Sequence, residues 1–177
     1  MGRCLMNCPP VDIANSMVTV LEAARDAGST FSTSFVCKAS LGDFHPKLEG
    51  EGLSETLVDI VLPVTPSIEV TGRPRNHHTM IMTVGVRKRL SSGHVNPDGS
   101  FDVDEIAPLM NLFYELIGFI LPSDDNPSGK RFYTDDWVAI SDGTVNIEFL
   151  WHPGLLVQAK QYCGLFRANL VVSEVRD

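Results

Sequence analysis

Apolar residues recur along the chain with two different periods, and the switches between them mark its elements. From Asp12 to Ala27, Ile13, Met17, Leu21 and Ala24 return every three to four residues, with Glu22, Arg25 and Asp26 on the other side. That spacing predicts an amphipathic helix, with Asp12 placed to cap its start, Pro9 and Pro10 preceding it and Gly28 ending it. Phe31 to Ala39 then alternates, Phe31, Phe35, Cys37 and Ala39 against Ser32, Ser34 and Lys38, which predicts a half-buried strand. A second strand is predicted over residues 56–64, with Pro63 near its end because a central strand cannot spare the N–H. Thr79 to Leu90 is the clearest strand, with Met80, Met82, Val84 and Val86 on one face.

The helical period returns after a turn-rich stretch in which Asn96-Pro97-Asp98-Gly99 suits a type I turn. Ile106, Met110, Phe113, Ile117 and Ile120 form one stripe. Asp102 with Glu105 has the form of a capping box, but a helix beginning there would hold Pro108 well inside, so the predicted start is nearer Asp104. Short strands are predicted at residues 137–140 and 145–150, then a turn with at most one helical turn. A long closing strand runs from Tyr162 to Val175, with Phe166, Ala168, Leu170 and Val172 facing one way. The expected fold is α+β, mostly antiparallel strands with two helices packed on one face, plus an extended loop or hairpin arm. The 177 residues make one domain, with residues 1–10 flexible and loops at 42–56 and 122–135.

Composition adds limits. The apolar fraction of 44% and charged fraction of 20% belong to an ordinary globular chain. No apolar run approaches a membrane span, and the first ten residues carry neither a secretory h-region nor a myristoylation pattern, since Met6 stands where Ser or Thr is needed. Cys4, Cys8, Cys37 and Cys163 contain no Cys-x-x-Cys pair, and Cys37 and Cys163 fall in apolar strands. Buried free thiols and assembly in cytoplasm are expected.

Charge is unevenly placed. The net charge is −8, from 14 bases and 22 acids, which argues against general affinity for nucleic acid. Yet no acid occurs from Val70 to Pro97, where Arg73, Arg75, Arg87, Lys88 and Arg89 fall, and the remainder carries nine bases against 22 acids. The same segment has no aromatic residue on which a base could stack. Its bases are therefore expected to meet acids, and all five are predicted at a subunit interface.

Catalytic patterns do not emerge. His77 and His78 are neighbours, so on a strand they point apart, and His45, His94 and His152 supply no i, i+4 pair. Asn96, Asp98, Ser100, Asp102 and Asp104 alternate as in a calcium loop, but Phe101 and Ala107 stand where glycine and glutamate are required. Gly50-Glu51-Gly52 lacks a third glycine, no nucleophile elbow occurs, and Asp135-Asp136 reads as a solvated turn beside Lys130 and Arg131. No metal, cofactor or catalytic residue is expected, and the chain is not expected to be an enzyme.

The order of elements resembles that of tail-terminator (neck or tail-completion) proteins of tailed bacteriophages. It runs from "DIANSMVTVLEAA" through the basic strand "GRPRNHHTMIMTVGVRKRL" and the helix "DEIAPLMNLFYEL" to the close "LLVQAKQYCGLFRANLVV". In the closing segment Leu156, Lys160, Gln161, Tyr162, Gly164, Phe166 and Leu170 hold the family's places, with Lys160 where arginine is commoner. The resemblance implies a structural virion protein that forms a homo-oligomeric ring, usually hexameric. Such a ring caps the tail tube, joins it to the head-completion or connector protein, and lets DNA pass through its lumen without specific binding. The alternatives are another neck or tail component, such as a stopper or tube protein, and a small cytoplasmic enzyme.

Overall fold

Residues with a period of two build the core sheet, and residues with a period near 3.6 cover one of its faces. The computed structural model describes residues 9–45, 54–62, 67–69, 77–91, 102–122 and 129–175. The order of elements is α1 (Pro9–Asp26), β1 (Val36–Leu41), β2 (Leu57–Leu62), β3 (Ser67–Glu69), β4 (His77–Arg89), α2 (Val103–Ile120), β5 (Arg131–Tyr133), β6 (Trp137–Phe149), α3 (Pro153–Ala159) and β7 (Gln161–Glu174). The fold is α+β.

In the sheet the strands lie in the order β1-β2-β4-β7-β6-β5, and β3 pairs with β4 beyond the end of β2. All pairings are antiparallel except β1 with β2. The parallel pair needs a long connection, and the segment from Gly42 to Thr56 supplies it. Long β4 and β7 form the centre, paired from His77↔Ser173 to Arg89↔Gln161. Met80, Met82, Val84 and Val86 on β4 meet Leu170, Ala168, Phe166 and Gly164 on β7, and these positions face the helices. Ile13, Met17 and Leu21 of α1 and Leu109, Leu112, Phe113, Leu116 and Ile120 of α2 close that core. Phe113 stands edge-on to Phe166, 5.3 Å between ring centroids.

Several boundaries differ from expectation. The first strand begins at Val36 rather than Phe31, whose ring instead packs edge-on against Phe35 at 5.2 Å. β4 begins at His77, two residues before the expected Thr79. Helix α1 starts at Pro9, so the prolines belong to its first turn, where a missing N–H costs nothing. Helix α2 starts at Val103 with Asp102 as its cap, accepting from the Asp104 N–H at 2.9 Å. Pro108 sits inside the helix, and its carbonyl accepts from Thr33 Oγ1 at 3.2 Å. Capping prevails over the proline here.

The two short strands expected at 137–150 are one strand, β6, interrupted by a register shift between Ser141 and Val145. Gly143 adopts φ +88° there and Asp142 Oδ1 accepts from the Thr144 N–H, so the chain bulges without leaving the sheet. Short β5 lies inside what reads as the 122–135 loop, and α3 is a third helix where a turn was expected. His152 caps α3, its Nδ1 accepting from the Leu155 N–H, and Lys160 ends it in the left-handed conformation. The basic strand lies at the centre of the sheet from residue 77 onward; residues 70–76 lie outside the described ones, as do 1–8 and the turn at 96–99. Among the described residues no helix is long and apolar enough to cross a membrane, which says nothing of β-barrels.

Candidate functional site

The helices cover one face of the sheet, so the functional question concerns the opposite face and the two ends. On β4 the residues pointing away from the helices are Ile81, Thr83, Gly85, Arg87 and Arg89, and on β7 they are Cys163, Leu165, Arg167, Asn169 and Val171. At the Arg89 end this face is covered by chain. Phe44 lies directly over Gly85, where any Cβ would collide with its ring, so glycine is what lets the aromatic seat on the strand.

Arg87 ties that cover down. Its Nε and Nη2 each lie 2.7 Å from Asp59 Oδ2 on neighbouring β2, and its Nη1 donates to the His45 carbonyl at 2.9 Å. The guanidinium also stands 5.5 Å from the Phe44 ring centroid. Asp59 is buried, and burial pushes its carboxyl above the usual range even though Arg87 pulls it down. Desolvation wins this contest, as it often does for buried pairs. Beside it, the Cys163 thiol is pushed up to about 12 by burial, as is Cys37 on the other face. Neither thiol is in a state to react.

Of the five bases expected at a subunit interface, the structure separates three. Arg87 is held within its own chain, Lys88 is half-buried on the helix-facing side, and Arg89 is exposed. Arg73 and Arg75 lie outside the described residues. His77 and His78 pair with β7 and β3 through the backbone. Asp102 and Asp104 serve the start of α2, while positions 96–101 lie outside the described residues. Among the described residues no group of three or more His, Cys, Asp or Glu is placed to hold a metal ion. Asp135 and Asp136 are exposed in the β5–β6 turn, as expected.

Farther along the open face, a groove of about 540 Å³ runs past Phe44, Ile81, Thr83, Leu165, Glu148 and Arg167. Arg167 Nε and Glu148 Oε1 pair across it at 3.0 Å, an exposed contact of small energetic value. A second groove, about 350 Å³, has a different character. It lies between α2 and α3 and is lined almost wholly by apolar side chains, among them Ile106, Met110 and Leu156. At its rim Val103 is 71% exposed, Val157 62% and Trp151 44%.

No protein-family model matches this chain, and no match to it was found among curated proteins.

Function must then be argued from these surfaces. The α2–α3 groove was not anticipated from sequence, although a signal existed. Helix α2 is apolar around more of its circumference than one buried face requires. Of the stripe read as its core face, Phe113 and Ile120 are fully buried but Ile106, Met110 and Ile117 only half-buried, while Leu109, Leu112 and Leu116 also go inward. Val103, Ile106 and Met110 are left over for the groove.

Proposed function

We propose that this chain is a structural subunit of a self-assembled ring, a tail-terminator component of a tailed-bacteriophage virion. The ring caps the tail tube and joins it to the head connector. The observation that carries the reading is the apolar α2–α3 groove with its exposed rim of Val103, Val157 and Trp151. Trp151, though only 44% exposed, leaves part of a large apolar ring in water, and a grouped set of exposed apolar residues on a small domain marks a surface meant to be covered. The element order supports the same reading. A helix, a basic strand, a second helix and a central closing strand follow one another here as in the proteins the sequence resembles. The charge balance suits a lumen, because an acidic wall repels passing DNA.

Incubating the purified chain with isolated tail tubes and imaging them tests the reading. Density added at one end of each tube supports it. Bare tubes, or even decoration along their length, would overturn the terminator assignment.

A further inference from the structure

Two unlike surfaces lie at opposite ends of β7. At its start, the Leu90 N–H donates to the Lys160 carbonyl at 2.8 Å, which joins the end of α3 to the end of β4. At its end Trp137 pairs with Glu174, and the Val175 N–H donates to the Asp136 carbonyl at 2.8 Å. Fourteen residues of strand separate the two, roughly 45 Å at about 3.3 Å per residue.

The far end carries an apolar knob in an acidic collar. Tyr133 is 58% exposed, its hydroxyl steadied by Arg131 Nη1 at 3.4 Å. Ser16 Oγ donates to the Tyr133 carbonyl at 2.7 Å, which brings the first turns of α1 alongside. Asp12, Asp135 and Asp136 thereby share one shallow hollow with Tyr133. No cation among the described residues pairs with these three carboxylates.

The groove end has the opposite need. Lys160 ends α3 three residues after Val157, and it has no acidic partner among the described residues. The acids at this end belong to the start of α2. Asp102 caps the helix, Glu105 accepts from the Ser91 N–H at 3.2 Å, and Asp104 lies in the favourable field of the helix N-terminus. An unpaired lysine therefore stands at the α3 end of the molecule, and three unpaired carboxylates lie beside an exposed tyrosine at the other end.

Resting on the ring reading above, we propose that the Tyr133 corner of one copy docks into the α2–α3 groove of the next, head to tail. Tyrosine and tryptophan are the side chains that anchor such contacts, and the charges around them set register. Two different patches meeting in this way form a heterologous interface, which closes into a ring when the rotation per step divides a full turn. Asp135 and Asp136 of one copy face Lys160 of its neighbour.

Two variants test this, Val157→Asp on the groove and Tyr133→Asp on the knob. Both positions are exposed, so each variant should fold, which circular dichroism is to establish before assembly is read. Native mass spectrometry should show each variant alone as a 19.4 kDa monomer at concentrations where the unchanged chain assembles. Mixed in equal amounts, the two should form a heterodimer and stop there, because only one intact groove and one intact knob remain between them. Variants that assemble like the unchanged chain would overturn the docking while leaving the ring standing. Monomeric variants that stay monomeric on mixing would also overturn it. Normal rings of Val157→Asp that no longer bind tail tubes would assign the groove to the tube protein and overturn the docking too. An unchanged chain that is monomeric at every concentration would instead sink the ring reading.

Discussion

Replacing Arg87 by Met should cost this protein far more than replacing its partner Asp59 by Leu. The two side chains are 14% and 12% exposed, and both Arg87 contacts fall on one carboxylate oxygen. Without Arg87, Asp59 has two options in the native state. It can remain ionised and unpaired, which costs about 3–5 kcal/mol. Alternatively it can take up a proton, which at pH 7 costs about 4 kcal/mol, since its ordinary value of 3.8 lies roughly three pH units away at about 1.4 kcal/mol each. The second option caps the loss, so Arg87→Met should cost about 3–4 kcal/mol at pH 7. Asp59→Leu leaves an arginine that keeps the His45 carbonyl and the Phe44 ring and whose stem can bend toward water, so about 1–2 kcal/mol is expected. The double variant should lie close to the unchanged chain, because burying two apolar groups avoids both desolvation costs.

The pH dependence gives a second handle on the same pair. In the native chain the Asp59 carboxyl is held above its unfolded value, so the native state binds this proton more tightly. The group's contribution therefore favours the fold as pH falls through that raised value and is lost as pH rises through it. In Arg87→Met the same trend steepens, and much of the deficit at pH 7 should vanish toward pH 4. Urea unfolding followed by circular dichroism in dilute, unassembled protein, at pH 7 and pH 4.5, reads all four species of the cycle. An Arg87→Met variant within 1 kcal/mol of the unchanged chain at pH 7, or a double variant as unstable as Arg87→Met, would refute the reasoning.

Other expectations follow from the central strands. Leu170→Ala empties a fully buried site between the sheet and the helices and should cost about 2–5 kcal/mol by urea unfolding. Gly164→Ala should cost about 1–3 kcal/mol, since a Cβ there would stand 2.9 Å from both the Leu150 carbonyl oxygen and the Phe113 ring, and a backbone oxygen gives way less readily than a side chain. In a Cys4→Ser, Cys8→Ser background, Cys37 and Cys163 should resist a thiol reagent at pH 8 until urea unfolds the chain; fast labelling of the folded protein would contradict their burial. Arg89→Glu should leave folding unchanged but weaken assembly at low salt, detectable by light scattering, whereas Arg87→Glu should unfold the chain by placing two acids together in the Asp59 site.

How much of this was legible before the structure depended on how many faces an element buries. β4 and β7 carry clean alternation, and their buried sets, Met80 to Val86 and Phe166 to Val172, follow it residue for residue. The Ile13, Met17 and Leu21 stripe of α1 holds for the same reason. Helix α2 defeats the method because leucines at 109, 112 and 116 and a second apolar set at 103, 106 and 110 give two plausible stripes, and periodicity cannot rank them. The β6 bulge was read as a gap because Ser141-Asp142-Gly143 has turn chemistry, and only cross-strand pairing to β7 keeps it in the sheet. The interface bases were readable as a charge excess but not as individuals. Asp59, 28 positions from Arg87 in sequence, becomes its neighbour only when β2 pairs with β4.

The measurement that bears most directly on the central claim is the mass and shape of the purified chain as its concentration rises. Native mass spectrometry and negative-stain imaging together should find a closed ring with a central channel and a mass that is a whole multiple of 19.4 kDa, six being the expected number. A single 19.4 kDa species at every concentration, with no rings in any image, would contradict the account.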